Sequence, residues 1–149
     1  MKANINILGL HHVAIRAKDF DRTVKFYTEG LGFSVSHCWT LPEFNIKQAC
    51  MLKSADGNSY IEVFDHDANA PTQGEKAMED NEIKTGSLLH FALNVVNAEL
   101  AFKYAIDAGG RECVAPDILY LGNPPLKVKN SLVYSPNGEV IEFLEPNSF

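Results

Sequence analysis

The 149-residue chain fits one domain or two small fused modules, and its 46% hydrophobic and 21% charged residues are ordinary for a globular protein. A net charge of −6 without any basic block argues against a nucleic-acid surface. The N-terminal segment is too short and polar for a signal peptide, and no apolar run reaches the ~18 residues of a membrane span. Three scattered cysteines, Cys38, Cys50 and Cys113, predict no disulfide framework and fit a reducing compartment, so a cytoplasmic location is expected.

The first half of the chain predicts the order β-α-β-β-β. The stretch "LHHVAIRA" (10–17) is typical of a strand, and Asp19 can cap a following helix. Apolar residues then recur at helical spacing, at Phe20, Val24, Tyr27 and Leu31. Three strand-like runs follow, near 33–40, 46–53 and 59–65. The polar segment 67–86 contains Pro71, Gly74 and Gly86, which predicts a solvated linker with a short helix around 75–81.

The second half repeats this order. A strand at 88–95 leads to Asn97 as a helix cap, and the helix is predicted over 98–108. A strand near 111–115 is followed by "APDILYLGNPPL", which predicts a loop because proline and glycine interrupt it. The runs "NSLVYS" and "EVIEFLE", joined by the turn "SPNG", predict the last two strands.

The two halves align as an internal repeat. Residues 10–33 slide onto 88–111 without a gap, so that His12 falls on His90. The ends of the modules also match, since "YIEVF" lies over "VIEFL" and places Glu62 on Glu142. His12, rather than the adjacent His11, is therefore the counterpart of His90.

Each predicted module thus contributes one histidine from its first strand and one glutamate from its last. Side chains alternate along a strand, so His12 shares a face with Ala14, and the apolar Ile61 and Val63 lie opposite Glu62. The same alternation holds for the second pair. All four residues are therefore expected on the face turned away from the helices.

These four side chains offer a ligand set for a divalent metal ion. Two neutral imidazoles and two carboxylates supply two nitrogens, two oxygens and a charge of −2, which suits Ni²⁺, Co²⁺, Zn²⁺, Mn²⁺ or Fe²⁺. Four ligands leave two octahedral positions for water or substrate. A lone histidine or glutamate in a strand would be an ordinary structural residue, and His11, His37 and His66 are interpreted in this way.

The motifs "LHHVAI…FYTEGLGF…YIEVF" and "LHFAL…SPNGEVIEFLEP" resemble the vicinal oxygen chelate superfamily over residues 8–146. The resemblance implies an α+β fold of two tandem βαβββ modules, 8–66 and 87–146, whose sheets curl around a metal-containing cleft. The metal ligands of the family match His12, Glu62, His90 and Glu142. This His/Glu/His/Glu set is most similar to that of bacterial glyoxalase I, a lyase that isomerises the hemithioacetal of methylglyoxal and glutathione. Hydrophobic surface and the habit of the family also imply a homodimer.

The resemblance also implies substrate contacts. Arg16 stands where glyoxalase I has an arginine that meets a glutathione carboxylate, and Lys127 and Lys129 stand near its second basic group. Asn94 shares the face of His90 and is a further candidate. An asparagine that usually follows the second ligand is replaced by His66, which leaves open whether the thiol is glutathione.

The mechanistic hypothesis is proton transfer at a carbon next to a carbonyl, with Glu62 or Glu142 as the base and Glu142 favoured. Three alternatives remain open at this point. A methylmalonyl-CoA-type epimerase would use the same metal, and a ring-cleaving dioxygenase would bind Fe²⁺ through His12, His90 and Glu142. A non-enzymatic binding module would have little need of the four ligands.

Overall fold

The computed structural model describes residues 10–70, 90–121 and 123–145. Within these ranges the chain forms eight strands and two α-helices. The first module contains β1 (His12–Arg16), α1 (Phe20–Lys25), β2 (Ser34–Leu41), β3 (Ile46–Lys53) and β4 (Tyr60–Phe64). The second contains β5 (Phe91–Asn94), α2 (Ala98–Asp107), β6 (Arg111–Leu121), β7 (Leu126–Tyr134) and β8 (Val140–Leu144). The predicted βαβββ order is confirmed for both modules.

Each module folds into its own four-stranded mixed sheet. The strand orders are β1-β4-β3-β2 and β5-β8-β7-β6, so the first and last strands of each module are parallel neighbours. This arrangement places Ala14 beside Glu62 and Ala92 beside Glu142. The strand that carries the histidine and the strand that carries the glutamate are therefore adjacent in both sheets.

Helix caps and strand alternation explain where these elements begin and which face they bury. Asp19 and Asn97 each accept a hydrogen bond from the backbone N–H three residues later, at Arg22 and Leu100. Ile61, Val63, Ile141 and Phe143 are buried, whereas the glutamate between each pair is only partly covered. The predicted alternation is thus confirmed, and the glutamates lie on the face away from the core, called here the cleft face.

The two modules share one hydrophobic core, which contains Phe26 and Tyr27 of the first and Val133 and Phe143 of the second. A wider helical turn, Phe26–Gly30, continues α1 and approaches α2 closely. A Cβ atom at Gly30 would lie 2.4 Å from the Cβ atom of Ala108, so this contact requires glycine.

The turn between β7 and β8 also joins the modules through Asn137. Its side-chain amide donates to the carbonyl oxygen of Arg16 over 2.7 Å, and its oxygen accepts from the backbone N–H of Lys18 over 2.7 Å. The turn is therefore joined to the junction between β1 and α1 by two hydrogen bonds, one donated and one accepted by Asn137.

The loop predicted at 115–126 is wrong, because β6 continues through most of it. Asp117–Leu121 pair with Leu126–Asn130, and two register shifts lie between Glu112 and Asp117. Pro116 is tolerated because β6 is the outer strand of its sheet, where a missing N–H costs no ladder bond on the open side.

The expected absence of disulfides is also wrong, since Cys38 and Cys50 are disulfide-bonded. They are direct partners on the antiparallel strands β2 and β3, with a Cα–Cα distance of 4.1 Å. Cys113 is a free thiol.

The helix predicted around 75–81 lies outside the described residues. The described part of the chain contains no helix that is long and apolar enough to cross a membrane.

Candidate metal centre

The first His–Glu pair lies on the cleft face where β1 and β4 adjoin. The imidazole Nε2 of His12 is 3.2 Å from Oε2 of Glu62. The His12 side chain is 37% exposed and that of Glu62 is 16% exposed. The pair is therefore accessible from the cleft, although the carboxylate is largely covered.

The second pair repeats this geometry in the other module. Nε2 of His90 is 3.4 Å from Oε2 of Glu142, with side-chain exposures of 42% and 17%. The two pairs thus match in residue type, strand position, atom pairing and exposure. Such a match is what a duplicated half-site would produce.

The surroundings of the two pairs nevertheless differ. Asn130 on β7 is buried, and its side-chain amide donates a hydrogen bond of 2.6 Å to Oε1 of Glu142. The register places Ala49 of β3 at the equivalent position in the first module. The side chain of alanine cannot donate a hydrogen bond to Glu62. On the first module, His11 instead contacts the histidine, with 2.9 Å between the Nδ1 atoms of His11 and His12.

The spacing within each pair suits two neighbouring ligands of one metal ion. A nitrogen and an oxygen that each bind at about 2.1 Å and at right angles lie about 3 Å apart. The observed separations of 3.2 and 3.4 Å are close to this value. The donor set therefore fits a divalent ion such as Ni²⁺, Co²⁺, Zn²⁺, Mn²⁺ or Fe²⁺.

The two pairs do not meet within the chain. His12 and His90 both line a cavity of about 1450 Å³ between β1 and β5, which are edge strands of the two sheets. Among the described residues, however, no group of three or more His, Cys, Asp or Glu side chains could hold a metal ion. The structure therefore brings together one His–Glu pair in each module and does not bring the four predicted ligands together.

Two predicted substrate contacts lie on the cleft face. Asn94 is exposed at the end of β5 and lines the cavity between the sheets. Arg16 is half-buried, and its guanidinium group donates to the carbonyl oxygens of His66 and Ala68 over 2.9 and 2.7 Å. These bonds fix the guanidinium group against the chain that follows β4.

The two predicted lysine contacts are not brought to this face. The Nζ atom of Lys129 lies 2.6 Å from Glu99 on α2 and 3.5 Å from Glu145. The hydrogen bond to Glu99, together with both carboxylates, raises the pKa of Lys129. Lys127 is exposed two residues earlier on the same strand, so it projects to the same side as Lys129.

Sequence reasoning missed the roles of His11 and Asn130 beside the pairs. The doubled histidine was the available signal for His11, because a polar ring next to a candidate ligand is a natural partner for it. No comparable signal marks Asn130, since its place beside Glu142 depends on the register between β7 and β8.

Comparison with protein families gives a match over residues 9–143 to the model described as the glyoxalase/bleomycin resistance protein/dioxygenase superfamily. A comparison with curated protein sequences found no significant match.

Solved structures of the same kind share the fold. A glyoxalase I variant from Zea mays superposes with a TM-score of 0.67 at 19% identity, covering 92% of this chain and 46% of that protein. This chain therefore spans about half the length of the maize enzyme. A glyoxalase family protein from Enterococcus faecalis gives 0.64 at 25% identity, covering 93% and 98% of the two chains. The trypanothione-dependent glyoxalase I of Leishmania major gives 0.61 at 22% identity, covering 92% and 86%.

Proposed function

Because this chain belongs to the glyoxalase/bleomycin resistance protein/dioxygenase superfamily, we propose that it is a metal-dependent, glyoxalase I-like isomerase. Its substrate would be the hemithioacetal of a 2-oxoaldehyde and a small thiol. The observation that carries this proposal is the pair of matching His–Glu half-sites, with separations of 3.2 and 3.4 Å. A binding module without chemistry has no need of two such pairs.

His12, Glu62, His90 and Glu142 would hold the divalent ion. When bound, this ion supplies positive charge beside the substrate oxygen that becomes negative as the neighbouring carbon loses its proton. The cavity between β1 and β5 gives a small molecule access to both histidines. Asn94 and Arg16 on the cleft face would contact the substrate.

A glutamate would carry the proton between the two carbons. It would take the proton from the carbon bonded to sulfur and return it to the adjacent carbon. The hydroxyl hydrogen of the first carbon would pass to the oxygen of the second, so that the product is an isomer of the hemithioacetal. We favour Glu142, because the amide of Asn130 holds one carboxylate oxygen and leaves Oε2 directed to the cleft beside His90. Glu142 would leave the ion to act as the base, whereas Glu62, in the equivalent position, would remain a ligand.

We further propose that two copies of the chain assemble each complete site. The two half-sites of one chain do not form a group of three or more ligands among the described residues. In a symmetric dimer, the first module of one copy would face the second module of the other, giving two equivalent sites. A homodimer therefore accounts for a chain that carries both halves without joining them.

The direct test is an assay of the metal-loaded protein with methylglyoxal and glutathione, repeated with other small thiols. The proposal predicts formation of the 2-hydroxyacyl thioester, loss of activity with a chelator, and recovery with Ni²⁺, Co²⁺ or Zn²⁺. Oxygen consumption with a catechol would instead indicate a dioxygenase, and turnover of methylmalonyl-CoA would indicate an epimerase. Activity that survives complete removal of metal would contradict the mechanism.

A further inference from the structure

The side chain of His11 contacts the side chain of the next residue, the candidate ligand His12. The Nδ1 atoms of the two rings are 2.9 Å apart, which is hydrogen-bonding distance. The His11 ring also stacks on Tyr60 of β4, with centroids 4.8 Å apart and planes inclined by 14°. The backbone N–H of Tyr60 donates to the carbonyl oxygen of His11 over 3.1 Å. His11 is thus held in place from two sides.

The hydrogen atoms on these rings are not independent. Only one hydrogen fits between the two Nδ1 atoms, so one ring donates and the other accepts. On its other side, Nε2 of His12 faces a carboxylate oxygen of Glu62 at 3.2 Å, and a carboxylate only accepts. Without a cation, Nε2 of His12 must therefore carry the hydrogen.

This requirement fixes both tautomers in the metal-free protein. A neutral imidazole has one ring hydrogen, so His12 with its hydrogen on Nε2 has a bare Nδ1. The hydrogen between the two rings must then belong to Nδ1 of His11. His11 donates to His12, and the Nε2–H of His12 lies on the side of Glu62.

Metal binding at Nε2 of His12 demands the opposite arrangement. A ligating nitrogen gives its lone pair to the ion, so the hydrogen of His12 must move to Nδ1. Nδ1 of His11 must then accept, and the hydrogen of His11 moves to its Nε2. Neither ring changes its charge, and the number of hydrogens on the pair is unchanged.

We propose that His11 is a positioning residue that switches to the opposite tautomer when His12 binds a metal ion. The inference rests on the proposed metal site. The proposal explains why a second histidine, His11, stands beside the candidate ligand His12. His90 is preceded by Leu89 in the sequence, so the second module has no histidine in the equivalent position. The two half-sites are therefore supported differently.

The test is nuclear magnetic resonance of the full chain labelled with ¹⁵N-histidine, at a pH of about 8.5, which is well above the usual imidazole pKa of about 6.5. Long-range ¹H–¹⁵N spectra show which ring nitrogen carries the hydrogen. We expect Nδ1–H on His11 and Nε2–H on His12 without metal. With Zn²⁺ we expect Nε2–H on His11 and Nδ1–H on His12. Zn²⁺ binding with an unchanged His11 would overturn this inference alone, whereas a protein that binds no Zn²⁺ would overturn the proposed function as well.

Zn²⁺ affinity of variants gives a second readout. His11→Leu copies the residue of the second module and should weaken Zn²⁺ binding by roughly 10-fold to 100-fold. His11→Gln should retain most of the affinity, because a carboxamide can donate or accept. His37→Leu is the matched control, since His37 is an exposed strand histidine that stacks on Trp39. Equal affinity of His11→Leu and His37→Leu would contradict the role of His11.

Discussion

At the residue scale, Glu62 and Glu142 occupy equivalent positions but have different partners. The buried amide of Asn130 donates to Glu142 over 2.6 Å, and Ala49 stands at the equivalent place beside Glu62. Hydrogen bonds to a charged group contribute about 1.5–3 kcal/mol. Asn130 therefore orients the carboxylate that we favour as the base.

Asn130→Ala should reduce kcat for hemithioacetal isomerisation by roughly 10-fold or more, which corresponds to the loss of one charged hydrogen bond. KM should change less, because Asn130 is buried. Steady-state kinetics of the metal-loaded protein measure both constants, with the exposed Asn69→Ala as the control. An unchanged kcat in this variant would show that Asn130 does not support Glu142 in catalysis.

Asp65 gives a prediction about stability and pH. Burial alone would raise its pKa, but hydrogen bonds from the backbone N–H groups of Gln48, Asp67 and Lys47 outweigh burial and lower the pKa. A carboxyl group with a lowered folded-state pKa stabilises the fold above its unfolded pKa, and this contribution is lost as the pH falls through the folded value.

Asp65→Asn should therefore reduce the free energy of unfolding by about 1–3 kcal/mol at pH 7, and the difference should shrink below about pH 4. Urea denaturation at both pH values measures this, with Asp21→Asn as an exposed control. Equal stability of Asp65→Asn and the unmodified protein at pH 7 would show that the three hydrogen bonds contribute nothing net.

At the element scale, the sequence was informative where one face of a strand is buried. The alternation of β1, β4, β5 and β8 is visible in the sequence because each of these strands turns one face to the shared core. The extension of the β6–β7 hairpin through the predicted loop was missed, because its pairing depends on register shifts that no local pattern shows. The Cys38–Cys50 disulfide was missed for a related reason, since irregularities in β2 flank the pair.

The turn between β7 and β8 is the element whose role is tested most simply. Asn137→Ala removes both hydrogen bonds to the β1–α1 junction, each of 2.7 Å, and should destabilise the protein by about 2 kcal/mol. Thermal unfolding measures the loss. Asn58→Ala in the corresponding turn of the first module is the control, because the bonds of Asn58 are local, to Asp56. Similar losses in the two variants would contradict a special role for Asn137 in joining the modules.

At the scale of the whole molecule, the repeat predicted two half-sites but could not predict how far apart they lie. Distance between modules depends on how the two sheets pack around the core, which the alignment of one module on the other does not contain. The proposed dimer resolves this by pairing half-sites from two copies.

Complementation tests this pairing. A chain with His12→Ala and Glu62→Gln keeps only the second half-site, and a chain with His90→Ala and Glu142→Gln keeps only the first. Each should be inactive alone. Unfolding and refolding them together should restore about one quarter of the activity, because half of the random dimers carry one intact site out of two. If the mixture contains heterodimers but recovers no activity, all four ligands must come from one chain.

The most direct test of the central claim is the metal content of the protein after loading with Ni²⁺ and removal of the excess. We predict about one ion for each chain in the unmodified protein and in His37→Leu. Single variants at His12, Glu62, His90 and Glu142 should each retain much less. Full metal content in all four variants would show that these residues do not form the site.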